Sequence, residues 1–272
     1  MLGFGVADFI AKAILSRTNA FRTALISQSI GTLFYLGVAI VYDLAVPDNK
    51  LLFLTLISGA LSAVVLSSYY LALSLGKASL VSPITSCLSV VAVVLSLLVL
   101  GETLTGPQLS VIAAVFCGII LVAFDRSSNE SSRNVSILFA LLAALLGGGN
   151  VIIQKWIAEG GHYLMGFFLT RVFMLCFMFP FMPLLGRNKQ STEKPVSYPK
   201  MGLLGLIDVS GFFAWFIGLR EGLVSVVTPI VTACPAVTVI LVHLFLNERV
   251  RLHQRVGIAT IIAGIVILSA IS

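Results

Sequence analysis

YYLALSLGKASLVSPITSCLSVVAVVLSLLVLGETLTGPQLSVIAAVFCGIIL, residues 69–121, returns later in the chain as WFIGLREGLVSVVTPIVTACPAVTVILVHLFLNERVRLHQRVGIATIIAGIVI, residues 215–267. The offset of 146 that carries Pro83 onto Pro229 also superimposes, without a gap, Leu73, Gly76, Ser79, Val81, Ile84, Val91, Val93, Leu95, Leu98, Leu100, Glu102, Gln108, Ile112, Ala113, Gly118 and Ile119 on identical residues. Apolar matches are cheap in a chain this rich in Leu, Val and Ile. The weight therefore rests on Pro83/Pro229, Glu102/Glu248, Gln108/Gln254 and Gly118/Gly264. A weaker offset of 143 pairs Gly5, Ile10 and Lys12 with Gly148, Ile153 and Lys155. The chain reads as two homologous halves, with one extended middle loop in the second.

Composition names the solvent of those halves. With 58% hydrophobic residues, 10% charged residues and a mean hydropathy of +1.08, too few charges are present to cover so much apolar surface in water. The formal charge of +6 is spread singly at segment ends, with no basic face on which a nucleic-acid backbone could lie. Cys87, Cys117, Cys176 and Cys234 sit in apolar runs without metal-ligand spacing and read as small hydrophobes. No cofactor or metal is expected.

A spanning helix takes about 20 apolar residues. With Gly, Pro and charge clusters as breaks, ten segments emerge: 1–15, 20–43, 51–75, 78–100, 105–124, 135–158, 163–186, 200–220, 224–246 and 252–271. The expected division is a first five-helix repeat over 1–124, a polar linker over 125–134 and a second repeat over 135–272. An odd number of spans per half forces the second half to enter the membrane in the opposite sense, so the fold class is an all-α integral membrane protein of ten transmembrane helices in two inverted five-helix repeats. The first segment is short, because the nine residues Val135 to Ala143 have no counterpart before Met1. Met1 to Leu15 is either a retained short helix without a signal-peptide pattern or the product of a misplaced start codon. Asn129 and Asn134 begin glycosylation sequons of the kind that arise by accident.

Polar residues inside the membrane carry the chemistry. Ser82, Ser86 and Ser89 follow i, i+4, i+7 spacing in the fourth segment, and their images in the ninth are Thr228, Thr232 and Pro235. Such hydroxyls either bond back to the helix and to neighbouring helices or line a cavity beside Pro83 and Pro229, which remove backbone donors. Gly147, Asn150 and Gln154 share a face of the sixth segment. Asp8 stands one turn from Lys12, at ion-pair spacing. Arg171 and Asp208 lie inside the seventh and eighth segments without a local counter-charge, a functional signal by default. Asp208 shares a stripe with Gly205, Phe212 and Trp215, which suits a substrate with a cationic or hydrogen-bonding group beside an apolar body. Burial of that acid also makes it the candidate for proton coupling, and an ion pair with Arg171 is the structural alternative. Glu102 and Glu248 fall at turns, where capping the following helix is the expected role. His162, His243 and His253 share no face, and no phosphate loop, nucleophile elbow or His–carboxylate pair appears, so an enzyme is not expected.

Tyr70-Leu-Ala-Leu, Ala78-Ser-Leu-Val-Ser-Pro83, Leu100-Gly-Glu102 and Gly118, repeated as Gly222-Leu-Val-Ser-Val-Val-Thr-Pro229, Leu246-Asn-Glu248 and Gly264, resemble the EamA family of the drug/metabolite transporter superfamily over nearly the whole chain. The resemblance implies a secondary transporter of small organic metabolites, with a cavity lined mainly by segments 1, 3, 4, 6, 8 and 9. It makes Pro83, Glu102, Pro229 and Glu248 architectural. The short first segment and Asn247, where the family's second motif copy usually has Gly, depart from the pattern.

The resulting expectation is an exporter or exchanger in the cell membrane moving an amino acid or related compound by alternating access. Its substrate-binding or cavity-lining residues would be Asp8, Tyr69, Ser82, Ser86, Asn150, Gln154, Asp208, Phe212, Trp215, Thr228 and Thr232. Its partners would be the small-molecule substrate and the lipid bilayer, without nucleic acid. A non-transporting assembly or sensor subunit is the competing reading, and a channel lacks the ring of charge it would need. The resemblance places both termini in the cytoplasm. The Lys and Arg distribution, thirteen near one set of loops and Lys50, Lys155 and Arg220 near the other, places them outside. The expectation adopted follows the family.

Overall fold

A computed structural model of the chain describes residues 1–15, 20–42, 48–76, 78–123, 130–181, 198–246 and 251–271. Every regular element among them is helical: α1 (Leu2–Leu15), α2 (Ala20–Tyr42), α3 (Asn49–Leu75), α4 (Ala78–Ser86), α5 (Leu88–Leu95) continued by a π turn (Ser96–Leu100), α6 (Gly106–Ala123), α7 (Glu130–Ala158), α8 (Tyr163–Met178) with a 3₁₀ turn (Phe179–Phe181), α9 (Tyr198–Glu221), α10 (Val224–Thr232), α11 (Pro235–Leu246) and α12 (Leu252–Ile271). Six stretches are long and apolar enough to cross a membrane: Thr23–Tyr42, Asn49–Leu75, Leu80–Leu100, Asn134–Glu159, Tyr198–Glu221 and Val224–Phe245. Leu2–Ala11, Gly106–Leu121, Tyr163–Met178 and Leu252–Leu268 are shorter apolar helices. The protein is a multi-pass integral membrane protein.

The outer surface is what such a chain requires. Leu98, Leu138, Leu145, Leu244, Phe245 and Val266 are exposed, whereas Thr23, Ser27, Gln28, Ser89, Asn150, Thr170 and Arg171 are buried. With lipid outside, the polar groups gather where other helices can satisfy them. Inside, α3 packs on α7 and α8, α9 on α1 and α2, and α6 on α12.

Local chemistry explains where helices start and stop. Asp48 caps α3 by accepting from the Leu51 amide at 3.1 Å. Gln108 and Thr105 form a reciprocal capping box at the start of α6, with the Gln108 side chain accepting from the Thr105 amide at 3.0 Å. Gln254 does the same for the Arg251 amide at 3.1 Å ahead of α12. The repeated glutamines are thus matched helix caps. Segments 4 and 9 were expected as single helices, and each is broken instead, at Cys87 and at Ala233–Cys234. The breaks fall at repeat-equivalent positions, one turn after Pro83 and Pro229, which cannot donate to the helix ladder. Hydroxyls bond back to the helix in the same turns: Ser86 donates to Ser82 O at 2.9 Å, and Thr232 to Thr228 O at 2.8 Å.

Close approach accounts for the repeated glycines. A Cβ on Gly5 would lie 2.5 Å from Val237 Cβ and 3.0 Å from Cys234 O, and one on Gly148 would lie 2.5 Å from Val91 Cβ and 2.7 Å from Leu88 O. Across α6 and α12, a Cβ on Gly118 would sit 2.9 Å from Gly257 O, and one on Gly264 2.5 Å from Val115 Cγ2.

Glu102 corrects its expected role. Gly101, at φ 67°, ends the π turn in the left-handed region that glycine tolerates. Glu102 then reaches across the molecule, accepting from the Val224 amide at 2.7 Å and the Ser225 amide at 2.9 Å. It caps α10 in the other half, not α6, which follows it. A carboxylate there meets both free amides and the positive end of the helix. Glu248, Asn247, the linker residues 125–129 and most of the polar Arg187 to Pro199 stretch lie outside the described residues. Helix α7 already begins at Glu130, inside the stretch read as linker.

Candidate functional site: a cavity between the two halves

A cavity of about 200 Å³ opens between α1, α3, α4, α5, α7, α8, α9, α10 and the α10–α11 joint. Asp8, Tyr69, Ser86, Asn150, Gln154, Asp208, Phe212, Trp215 and Thr232 all border it. Ser82 and Thr228 stand behind the wall, at 1% and 0% exposure. Ser82 supports the site indirectly by donating to Asp8, and the Thr228 hydroxyl has no partner among the described residues.

The two acids sit in different surroundings. Asp8 on α1 accepts from the Tyr69 hydroxyl of α3 at one oxygen. At the other it accepts from Ser82 Oγ of α4 at 2.7 Å, Thr238 Oγ1 of α11 at 3.4 Å and Cys234 Sγ at 3.9 Å. The i, i+4 pair expected with Lys12 lies outside the described side chains. Asp208 on α9 accepts from Gln28 Nε2 of α2 at 2.9 Å, and Arg171 Nη1 of α8 is 4.0 Å from the same carboxylate oxygen. Arg171 donates in turn to Gln28 Oε1, and its guanidinium carbon lies 4.2 Å from the centre of the Phe212 ring. Side-chain exposures of 7% for Arg171 and 17% for Asp208 put this cluster out of water. The structural alternative for Asp208 is thus the arrangement found, with an amide bridging the two charges.

Aromatic rings form the apolar wall. Phe4 meets Phe212 edge-on at 4.8 Å and Trp215 edge-on at 6.1 Å, and Phe212 and Trp215 are tilted at 5.5 Å. Among them lie polar atoms with no partner among the described residues. Asn150 donates to Ser62 Oγ at 2.9 Å, yet its Oδ1, Gln154 Oε1 and the Trp215 indole Nε1 are buried without a hydrogen bond from any described group. Buried orphans cost about 1–3 kcal/mol each. All three belong to residues that line one cavity, where a ligand is a candidate partner for them.

Sequence reasoning placed Arg171 inside the membrane without assigning it to the site, and passed over Gln28 and Phe4. A signal for Gln28 was present: the 143 offset sets it opposite Arg171. Nothing in the sequence brought α8 to the cavity, where Phe167, Thr170, Arg171 and Met174 add a wall.

The model of the EamA-like transporter family matches residues 1–124 and 134–270. The chain belongs to the EamA-like transporter family. This EamA-like transporter is 34% identical over 124 residues to an uncharacterized protein of Methanocaldococcus jannaschii, an alignment that takes in 45% of the present chain and 90% of that one. A solved crystal structure of another protein superposes with a TM-score of 0.73 at 14% identity, covering 98% of each chain, and so shares the fold. Family membership makes the protein a membrane transporter of the drug/metabolite type.

Proposed function

We propose that the protein is a secondary transporter that moves a small organic metabolite by alternating access, and that the cavity between the halves is its binding site. The observation that carries this is the cavity itself: a closed apolar core would have favoured a sensor or assembly subunit, whereas this one is lined by two acids, an arginine, two amides and an aromatic wall. A volume of about 200 Å³ suits a metabolite smaller than a drug-sized ligand.

Inverted repeats supply the mechanism. Helices α1, α2, α3, the α4–α5 pair and α6 would make the first five spans, and α7, α8, α9, the α10–α11 pair and α12 the second. The glycine contacts support this, since Gly5 meets Val237 and Cys234 while Gly148 meets their repeat-mates Val91 and Leu88. The packing pairs also exchange: α3 on α7 and α8 answers α9 on α1 and α2. The Methanocaldococcus protein, spanned by 124 residues over nine-tenths of its length, is about one such repeat long. Rocking of one half against the other about the central cavity gives alternating access. The protein resides in the cell membrane with both termini cytoplasmic, and exports or exchanges its substrate.

The test begins with a thermal-shift screen of amino acids and amines on the purified protein, followed by counterflow of each stabilising compound in proteoliposomes. Accumulation above empty vesicles is expected. Stabilisation by a compound that is never carried would favour the sensor reading.

A further inference from the structure

Three described side chains at the cavity are charged: Asp8, Asp208 and Arg171. Resting on the transporter reading above, we propose that the cavity takes a small organic cation, an ammonium on an apolar body with an oxygen acceptor, and that Asp8 reads the ammonium while Asp208 stays committed to Arg171.

Asp208 is spent. The Gln28 amide donates to its carboxylate at 2.9 Å and accepts from Arg171, and the guanidinium closes the cluster from 4.0 Å while stacked on Phe212 at 4.2 Å. Turning Asp208 toward a substrate would strand a buried arginine. Asp8 differs. From the helices packed around it come Tyr69 on α3, Ser82 on α4, Thr238 on α11 and Cys234 at the α10–α11 joint, all neutral donors, and Asp208 and its partner Arg171 are the described charged groups across the cavity. On its own helix Lys12 stands one turn away, its side chain outside the described set. Neutral donors orient a carboxylate without cancelling its charge. The contacts at 3.4 Å and 3.9 Å are also long enough to yield to a better donor.

The orphaned atoms specify the rest of the ligand. An ammonium carries three donors and no acceptor. The ammonium goes to Asp8, while the orphaned carbonyl oxygens of Asn150 and Gln154, on residues only 4% and 8% exposed, offer acceptors elsewhere in the lining. The Trp215 indole, 9% exposed, needs an acceptor, hence the oxygen on the ligand. Phe4, Phe212 and Trp215 hold the apolar body and add cation–π attraction to the ammonium end. A carboxylate on the ligand would meet two acids with the arginine already engaged, so a monocation is selected over the zwitterion and anion built on the same body.

The experiment uses matched sets on two bodies: phenylalaninol, phenylalanine and phenylpropionate; tryptophanol, tryptophan and indolepropionate. Affinities are measured by calorimetry on the purified full chain, with phenethyl alcohol as the neutral reference. The amines should bind at least about tenfold tighter than their zwitterions and anions, the scale of one charge-assisted hydrogen bond. Asp8→Asn should lose at least about tenfold for the amines while keeping the alcohol. Should Asp8→Asn not fold, the wild-type protein carries the same test. Amine affinity should fall as the pH is lowered, because proton and ammonium compete for one carboxylate, while alcohol affinity stays flat. A zwitterion that binds as tightly as its amine, an Asp8→Asn protein that keeps amine affinity, or a flat amine pH profile overturns the proposal. Trp215→Ala separates this from failure of the site itself. It should weaken every ring compound whatever its charge, and unchanged affinities would remove the cavity as the binding site.

Discussion

The two halves share their scaffold and divide their chemistry. Where the repeat is kept, the residue builds structure: Gly5 and Gly148 admit a crossing helix, Gly118 and Gly264 seat α6 on α12, and Gln108 and Gln254 cap helices. Where it is broken, the residue faces the cavity: Asp8 aligns with Val151, Asp208 with Ser62 and Arg171 with Gln28. A kept residue carries out the same local packing or capping task in each half. The central cavity is shared, so one polar group from either half serves it, and a second copy would only add uncompensated charge.

The largest effect should come from breaking an unmatched element. Arg171→Met leaves Asp208 buried with Gln28 alone, and Asp208→Asn strands the guanidinium. Each should cost about 3–5 kcal/mol, read as a loss of folded, monodisperse protein and a lower melting temperature in detergent. The double variant Arg171→Met/Asp208→Leu should recover much of that loss. An Asp208→Asn protein of unchanged stability would return Asp208 to the substrate site.

Next come the matched glycines. Gly5→Val and Gly148→Val each force a side chain against the opposing valine and should destabilise by about 1–3 kcal/mol. Equal losses sharpen the comparison, and a loss confined to one half breaks it.

Glu102→Ala removes two amide acceptors from the start of α10 and should lower stability by about 1 kcal/mol. A loss registered as unfolding of α6 rather than as fraying near Val224, followed by hydrogen exchange, would restore the following-helix cap. The smallest effect is expected from Trp215→Phe, which keeps the ring and removes the indole donor. Substrate affinity should fall about fivefold with the melting temperature unchanged.

The sequence by itself determined the membrane environment, the all-helical character and the residues the repeat demands, while segments 4 and 9, which read as single helices, are each broken in the structure. Periodicity, composition and duplication are local or self-comparing signals, and hydrocarbon solvent leaves the backbone little choice but helix. It also singled out most of the polar residues around the cavity, because polarity in hydrocarbon is itself conspicuous. Tertiary structure decided who meets whom. That Asp208 faces Arg171 through Gln28, that Asp8 is held by donors from three other helices and the joint, and that Glu102 caps a helix more than a hundred residues away are consequences of how helices cross. Spacing along one helix fixes which residues share a face. Only the packing of several helices fixes what that face looks at.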